Sequence, residues 1–281
     1  MNPISRKTTT LLVALLVALS GVLVGCQDRD FGLSIRQIQQ FDRSACEVNT
    51  DETLFQSQSV VDLALRGNYI IYPYIENNML SVNEVKALDV TDSRVNTTDV
   101  VLRSATIEYT TLDTISAELQ SPVVVPLSGT VKVGSFLIIG LEVLNTALLQ
   151  QLQDADEFLV IEDNGTVRPV RTAIKIIARI RIEGETLDGK VVESNEFLYP
   201  IEVCNGCQIS YPSNLLETRN GQLTCPSVKL DAEGNPIVGP AATDACASTL
   251  GTDGALVDCQ SCQGFAANSF ARQLCQPDIT E

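Results

Sequence analysis

A long alternating segment near the middle of the chain limits the possible folds more than any other feature. From Val170 to Glu183 the even-numbered positions are apolar apart from Thr172, and every charged residue falls on an odd-numbered position. This period of two is typical of a β-strand with one buried face and one face in water. Asp188-Gly189 then gives a hairpin turn signal, and Lys190 to Val203 follows as the partner strand. The segment therefore predicts an antiparallel sheet that contains a long hairpin.

Shorter β-like segments separated by turn residues surround this hairpin, and helical patterns are scarce. Such a sequence favours a mainly β fold, specifically an antiparallel β-sandwich with an immunoglobulin- or fibronectin-like shape. The Cys…Trp…Cys spacing of true immunoglobulin domains is missing, because the chain has no tryptophan. Pro73 predicts an edge strand or a bulge within its own segment. The additional strand candidates are Val61–Leu65, Tyr69–Ile75, Val101–Thr111, Val123–Pro126 and Thr130–Ile139.

One short helix is expected among the strands. Asn145-Thr146 is a suitable N-cap before the segment from Ala147 to Leu152. The three leucines of this segment fall on one face of such a helix, so we expect them to pack over one end of the sheet.

The cysteines divide the mature chain into two parts. Of the nine cysteines, Cys26 is a candidate lipid site and eight remain. An even number in an exported chain predicts a framework of structural disulfides, although sequence alone does not choose the pairing. Seven of the eight lie in residues 204–275 among glycine, proline and small polar residues, so this tail should lack a core and need covalent staples. The disulfide candidates are Cys46, Cys204, Cys207, Cys225, Cys246, Cys259, Cys262 and Cys275.

Two cysteine spacings are C-x2-C, namely Cys204 with Cys207 and Cys259 with Cys262. The favoured interpretation is structural, with each cysteine bonded elsewhere in the tail or to Cys46. A second interpretation is a four-cysteine zinc knuckle, which the long gap, the extra cysteines and an oxidising compartment oppose. A third is a redox-active dithiol, which needs a preceding strand and a helix N-terminus that lowers a thiol pKa. A strand does precede Cys204, but the residues that follow do not predict a helix.

A specific pairing is expected for Cys46. If the first and last strands of the β-domain are neighbours, Cys46 should bond to Cys204 or Cys207, near the start of the tail.

No catalytic, cofactor-binding or metal-binding residue is predicted elsewhere in the chain. The sequence has no histidine, which excludes Ser-His-Asp triads, Cys-His pairs and histidine-based zinc sites. A hydrolase built on carboxylates or on a Ser-Lys pair has no recognisable motif to support it. We therefore expect neither enzymatic activity nor a cofactor.

Residues 1–25 are predicted to be an export signal. Arg6 and Lys7 make a basic patch, and the apolar segment from Leu11 to Val24 follows. This segment of about 14 residues would form a helix of roughly 21 Å, too short for a bilayer core of roughly 30 Å. A basic start and a short apolar stretch before small residues are typical of a secretory signal peptide.

The end of this signal, Leu23-Val24-Gly25-Cys26, resembles the bacterial lipobox. The resemblance implies cleavage before Cys26, a diacylglycerol thioether on its sulfur, and a lipid-anchored protein of the cell envelope. An aspartate directly after the lipidated cysteine would resemble the inner-membrane retention signal of enteric bacteria. Here Gln27 takes that position and Asp28 follows one residue late, so the outer membrane is expected. The remaining body resembles envelope lipoproteins with a β-sandwich and a cysteine-rich tail, a likeness that implies no particular function.

The net charge excludes two classes of partner. Loss of Arg6 and Lys7 with the signal lowers the basic residues from 19 to 17 against 35 acidic ones, so the mature net charge is −18. Such a chain lacks the positive surface that binds nucleic acid or anionic lipid. Membrane attachment should therefore come from the acyl chains alone.

These observations predict a lipid-anchored envelope protein whose β-sandwich is a non-enzymatic binding or structural module, with another envelope protein as the candidate partner. The alternative is a metal-binding or thiol-redox protein that uses the two C-x2-C pairs. The expected organisation is a signal peptide at 1–25, a lipidated tether and first strand at 26–45, a β-sandwich at 46–203 and a disulfide-stapled tail at 204–281.

Overall fold

Strands dominate the structure, which confirms the mainly β fold expected from the alternation. The computed structural model describes residues 32–80, 97–227, 231–232, 251–266 and 271–277. The expected signal and lipid site at 1–26, and Cys246, lie outside these residues. In chain order the strands are β1 (Leu33–Gln39), β2 (Phe41–Asp42), β3 (Glu47–Val48), β4 (Phe55–Gln56), β5 (Ser59–Asp62), β6 (Tyr69–Ile71), β7 (Pro73–Asn77), β8 (Val100–Thr111), β9 (Val123–Pro126), β10 (Thr130–Val131), β11 (Phe136–Ile138), β12 (Leu141–Leu144), β13 (Leu159–Ile161), β14 (Val167–Pro169), β15 (Ala173–Thr186), β16 (Val191–Glu193), β17 (Phe197–Cys204), β18 (Ile209–Ser210), β19 (Glu217–Arg219), β20 (Gln222–Thr224) and β21 (Val257–Asp258).

The largest sheet is organised around β15, the segment whose alternation is clearest in the sequence. Its strand order is β10-β8-β15-β17-β5, with β9 beside β8 and β16 beside β15. Burial alternates along β15, and Ile174, Ile176, Ile180 and Ile182 are at most 4% exposed. The predicted hairpin is confirmed, because the chain turns at Gly189 (φ +85°) and both β16 and β17 pair antiparallel with β15.

A second sheet has the strand order β11-β7-β1-β4. Pro73 begins β7, which lies between β1 and β11, so the expectation of an edge strand at this proline is wrong. The alternative of a bulge nearby agrees with the register shift in the β1–β7 ladder between Ile35 and Gln37. Proline is tolerated at the first position of a strand because its missing N–H falls where the ladder begins. The preceding Tyr72 carbonyl still accepts the N–H of Gln39 at 2.8 Å, which aligns β7 with β1.

The two large sheets contribute to one hydrophobic core. Ile38 and Ile75 of the four-stranded sheet belong to the same buried cluster as Ile107, Ile180 and Ile201 of the seven-stranded sheet. The expectation of purely antiparallel pairing is corrected, because β5 runs parallel to β17. The connection between these strands is long enough for the crossover that a parallel pair requires. The immunoglobulin- or fibronectin-like shape stays a prediction.

Two strand candidates end or divide earlier than their patterns predict. The alternation from Val61 to Leu65 continues past β5, which ends at Asp62 because its side chain accepts the N–H of Ala64 at 2.9 Å and starts a turn. The segment Thr130–Ile139 contributes β10 to the large sheet and β11 to the four-stranded sheet. The chain changes sheets through Gly134, which has φ +63°.

The predicted helix is present as α1 (Thr146–Gln153) and begins at the expected N-cap. The side chain of Asn145 accepts the N–H of Leu148 at 2.9 Å. The three leucines of α1 are buried in the main core, so the helix packs against the sheets as expected.

A second helix, α2 (Cys259–Phe265), corrects the expectation of a single short helix. It begins at Asp258, whose carboxylate accepts the N–H groups of Gln260 at 3.0 Å and Ser261 at 2.8 Å. Short 3-10 helices occur at Asp156–Phe158 and Ala271–Cys275. None of the described helices is both long and apolar enough to span a membrane.

Loss of the N-cap of α1 should weaken the fold measurably. Replacing Asn145 with alanine should lower the free energy of unfolding by about 1 kcal/mol, because the N–H of Leu148 loses its acceptor. Urea unfolding followed by circular dichroism measures this change. Gln150→Ala, at an exposed position of α1, is the matched control and should change the same quantity by less than about 0.5 kcal/mol. Equal losses in both variants would contradict the capping role.

The tail that follows β17 has a small core, whereas the sequence predicted none. The strand pairs β18–β21 and β19–β20 lie in this tail. Four disulfide-bonded cysteines belong to its buried cluster, so the staples form part of the core instead of replacing it. The cluster consists of Ala64, Ile209, Leu215, Cys225, Val257, Cys259, Cys262, Ala271, Leu274 and Cys275.

Candidate functional site

The six described cysteines of the tail pair with one another. Cys46 is also disulfide-bonded, but the expected bond to Cys204 or Cys207 is wrong. Those two cysteines bond to each other across a tight turn that brings their Cα atoms to 5.9 Å, a normal separation for a disulfide. Cys26 and Cys246 lie outside the described residues. The described disulfides are Cys204–Cys207, Cys225–Cys259 and Cys262–Cys275.

The two C-x2-C pairs do not come together as one site. Cys204 and Cys207 bond internally, whereas Cys259 and Cys262 each take a partner elsewhere in the tail. The structural interpretation is thus confirmed for the second pair and corrected for the first. Because all four sulfurs are bonded as disulfides, they do not form the four-cysteine zinc knuckle.

The Cys204–Cys207 disulfide lies where two parallel strands end side by side. β5 ends at Asp62 and β17 ends at Cys204, and these two residues are register partners. Parallel strands leave a sheet at the same edge, so the turns that follow are neighbours. The N–H of Leu63 donates to the carbonyl of Cys204 at 2.8 Å, which ties the two turns together.

The carboxylate of Asp62 holds the turn that carries this disulfide. Its Oδ1 accepts the N–H groups of Gly206 at 2.8 Å and Ala64 at 2.9 Å, and its Oδ2 accepts the N–H of Gln208 at 2.8 Å. Asp62 is fully buried, so these donors replace the water that the carboxylate loses. Burial raises the pKa of Asp62 above its usual range, although the hydrogen bonds and the charge of Arg171 act in the opposite direction.

The two sulfurs of this disulfide differ in their access to solvent. Cys204 is fully buried, whereas Cys207 is exposed. Both Sγ atoms and one carboxylate oxygen of Asp62 lie within 4.8 Å of one another. In the Cys225–Cys259 and Cys262–Cys275 disulfides, by contrast, every cysteine is at most 1% exposed. Of the three described disulfides, Cys204–Cys207 alone contains an exposed cysteine residue. The Sγ of Cys207 also accepts a weak hydrogen bond from the Nε2 of Gln208 at 3.8 Å.

Arg171 connects this turn to the β-domain and to the end of the tail. Gly206 has φ +83°, and a Cβ at this position would lie 3.4 Å from the Cγ and Nε of Arg171. The guanidinium donates to the carbonyls of Leu274 at 2.9 Å and Gln276 at 2.8 Å. It also donates to the hydroxyl of Tyr211 and lies 4.8 Å from the centre of that ring. One side chain therefore contacts three separate segments.

Sequence reasoning identified the two cysteines of this site but missed Asp62 and Arg171. Both fall on the polar parity of an alternating segment, where solvent exposure is the ordinary expectation. The available signal for Asp62 is its position as the one charged residue in the otherwise apolar segment from Val60 to Leu65. A carboxylate in such a segment needs buried donors, and the sequence does not show where those donors come from.

Comparisons with known proteins add little to this description. No family model matches the chain, and no curated protein matches it. Among solved structures, the solution structure of a protein described as late embryogenesis abundant (LEA) is similar over 71% of this chain and 84% of that chain. The sequence identity is 6% and the TM-score is 0.29, which does not establish a shared fold.

Proposed function

We propose that this chain is a lipid-anchored protein of the cell envelope whose β-domain is a non-enzymatic binding or structural module. The observation that carries the proposal is the disulfide-bonded state of all seven described cysteines. Disulfides form and persist in oxidising compartments outside the cytoplasm. The export signal and the lipobox-like sequence that ends at Cys26 agree with that location.

The anchor would be the acyl chains on Cys26. Two or three chains hold a protein stably at a membrane, whereas one does not. The mature net charge of −18 opposes electrostatic attachment to anionic lipid. Gln27 after the lipidated cysteine favours the outer membrane, and another envelope protein is the candidate partner of the β-domain.

Metabolic labelling of the full chain with a palmitate analogue tests the anchor. The wild-type protein should take up the label and fractionate with the outer membrane, whereas Cys26→Ser should take up none and keep its signal peptide. Ser20→Ala, a change within the same signal, is the control and should be labelled normally. Gln27→Asp should move the labelled protein to the inner membrane of an enteric host. A label on Cys26→Ser, or its absence from the wild type, would refute the lipid anchor.

A further inference from the structure

We infer that Cys204–Cys207 is a thiol–disulfide exchange site, in which Cys207 is the attacked sulfur and Asp62 exchanges a proton with Cys204. This activity goes beyond the module function proposed above and does not depend on the lipid anchor. It rests on the exposure of one cysteine residue, on a carboxylate oxygen that lies within 4.8 Å of both sulfurs, and on the turn that holds these groups together.

The exposure of the sulfurs assigns their roles. Exchange begins when a thiolate attacks one sulfur of the disulfide and the other sulfur leaves. Cys207 is exposed and Cys204 is fully buried, so an incoming thiolate reaches Cys207 and Cys204 is the leaving group. The other two described disulfides are closed to this attack, because their cysteines are at most 1% exposed.

The leaving sulfur belongs to Cys204, which is fully buried and therefore shielded from solvent. A buried thiolate is costly unless it is neutralised, and a carboxylate oxygen of Asp62 lies within 4.8 Å of both sulfurs. Burial favours the protonated form of this carboxyl, so it can supply the proton that Cys204 needs. The hydrogen bonds from three backbone N–H groups and the charge of Arg171 act on the pKa of this carboxyl in the opposite direction, but burial is the largest effect. Hydrogen bonds from Ala64, Gly206 and Gln208 keep the carboxyl in place during the step.

The proposed co-reactant is a dithiol, and the reaction balances with it alone. The first thiolate of the dithiol attacks Cys207 Sγ, the Cys204–Cys207 bond breaks, and Cys204 leaves as a thiolate that takes the Asp62 proton. The second thiol of the dithiol gives its proton to water and attacks the mixed disulfide. Cys207 then leaves as a thiolate and takes a proton from water. The Asp62 carboxylate also regains its proton from water. The dithiol loses two electrons and becomes a disulfide, and the Cys204–Cys207 pair gains them.

The short loop closed by Cys204–Cys207 means that this disulfide contributes little to the stability of the fold. A disulfide stabilises chiefly by closing a loop in the unfolded chain, and the effect grows with loop length. The difference in residue number is 3 for Cys204–Cys207, against 34 for Cys225–Cys259 and 13 for Cys262–Cys275. The same turn is already fixed by the hydrogen bonds to Asp62. The helix that the sequence-based redox interpretation required does not follow Cys207, and the Asp62 carboxyl supplies the proton chemistry instead.

The first test titrates the oxidised full-length protein with glutathione buffers of decreasing potential. Acid quenching, alkylation and peptide mapping then show which disulfide opens. Cys204–Cys207 should open while the other two described disulfides remain closed, and the glutathione mixed disulfide should form on Cys207. Simultaneous opening of all three, or a mixed disulfide on Cys204, would overturn the proposal.

The second test follows the rate at which dithiothreitol opens Cys204–Cys207 at several pH values. Asp62→Asn should slow this step at least about tenfold where the wild-type carboxyl is protonated, and the difference should shrink as the pH rises. Asp258→Asn is the matched control, because Asp258 is also buried, accepts backbone N–H groups and precedes a disulfide cysteine. It should leave the rate unchanged. A rate ratio for Asp62→Asn that does not vary with pH, accompanied by a lower melting temperature, would reduce Asp62 to a structural role.

The third test adds zinc ions to the reduced protein and measures how many the protein retains. After reduction, Asp62, Cys204 and Cys207 are close enough to ligate one metal ion. The reduced protein should transfer its two electrons to oxidised dithiothreitol, which re-forms the Cys204–Cys207 disulfide, and should retain no zinc. Retention of one zinc per chain, together with no reaction with oxidised dithiothreitol, would replace the proposed site by a metal site.

Discussion

Replacing Arg171 with alanine should loosen the cysteine-rich tail from the β-domain and lower the free energy of unfolding by about 3 kcal/mol. The variant leaves the carbonyls of Leu274 and Gln276 without their charged donor, and each such hydrogen bond contributes about 1.5–3 kcal/mol. It also removes the cation–π contact with Tyr211, a smaller contribution. Water can hydrogen-bond to the freed carbonyls in the variant, so the expected loss is smaller than the sum of the two hydrogen bonds and the cation–π contact. Chemical unfolding measures the total, and hydrogen exchange shows whether amides of the tail lose protection first.

Two further variants separate the anchoring role of Arg171 from its charge. Arg103→Ala removes an ion pair with Glu185 at 2.8 Å whose arginine side chain is 58% exposed, so it should cost less than about 1 kcal/mol. Arg171→Lys keeps the charge but not the planar guanidinium that lies over the Tyr211 ring, and its loss of stability should be intermediate. If Arg171→Ala were as mild as Arg103→Ala, the disulfides and not this arginine would hold the tail.

The sequence predicts those parts of the fold that depend on local patterns. The strand β15 and its hairpin are expected because a sustained period of two is typical of a strand with one buried face. The helix α1 is expected because the N-cap and the apolar face coincide at Asn145. In both places the local preference and the final packing agree, so nothing distant has to be known.

Long-range pairing is what the patterns do not contain. Pro73 lies inside a sheet because the carbonyl of Tyr72 accepts a hydrogen bond from the N–H of Gln39. Gln39 lies more than thirty residues earlier in the sequence. The parallel pair of β5 and β17 is likewise set by a distant strand. The alternation in β10 and β11 does not show that these two strands enter different sheets.

The residues of the candidate site also depend on long-range contacts that the sequence pattern does not show. The spacing of Cys204 and Cys207 identifies two sulfurs, but whether they bond internally or elsewhere depends on the turn at Gly206. Asp62 is buried because donors 144 and 146 residues later in the chain supply its hydrogen bonds. Local parity alone would place this carboxylate in water. The proton donor of the site is therefore visible only when the ends of β5 and β17 are brought together.

Removing the Cys225–Cys259 disulfide should destabilise the tail more than removing any short-range staple. The double variant Cys225→Ala/Cys259→Ala opens a loop closed across a separation of 34 residues, for which chain entropy predicts a loss of about 4 kcal/mol. Both cysteines are also members of the small buried cluster of the tail, so the loss of packing adds to the entropic effect. We expect thermal unfolding to show the tail melting before the β-domain, as a separate transition that near-ultraviolet circular dichroism and hydrogen exchange can assign.

The matched control removes the Cys204–Cys207 disulfide, which closes a much shorter loop. Cys204→Ala/Cys207→Ala opens a link across a sequence separation of only 3. The entropic contribution of this link is less than about 2 kcal/mol, and the hydrogen bonds to Asp62 can hold the turn without it. This double variant should therefore keep a single, slightly earlier unfolding transition. If it instead destabilised the protein as much as Cys225→Ala/Cys259→Ala, the short disulfide would be a major structural element. A small loss would mean that the fold does not require this link, which leaves its exposed sulfur available for chemistry.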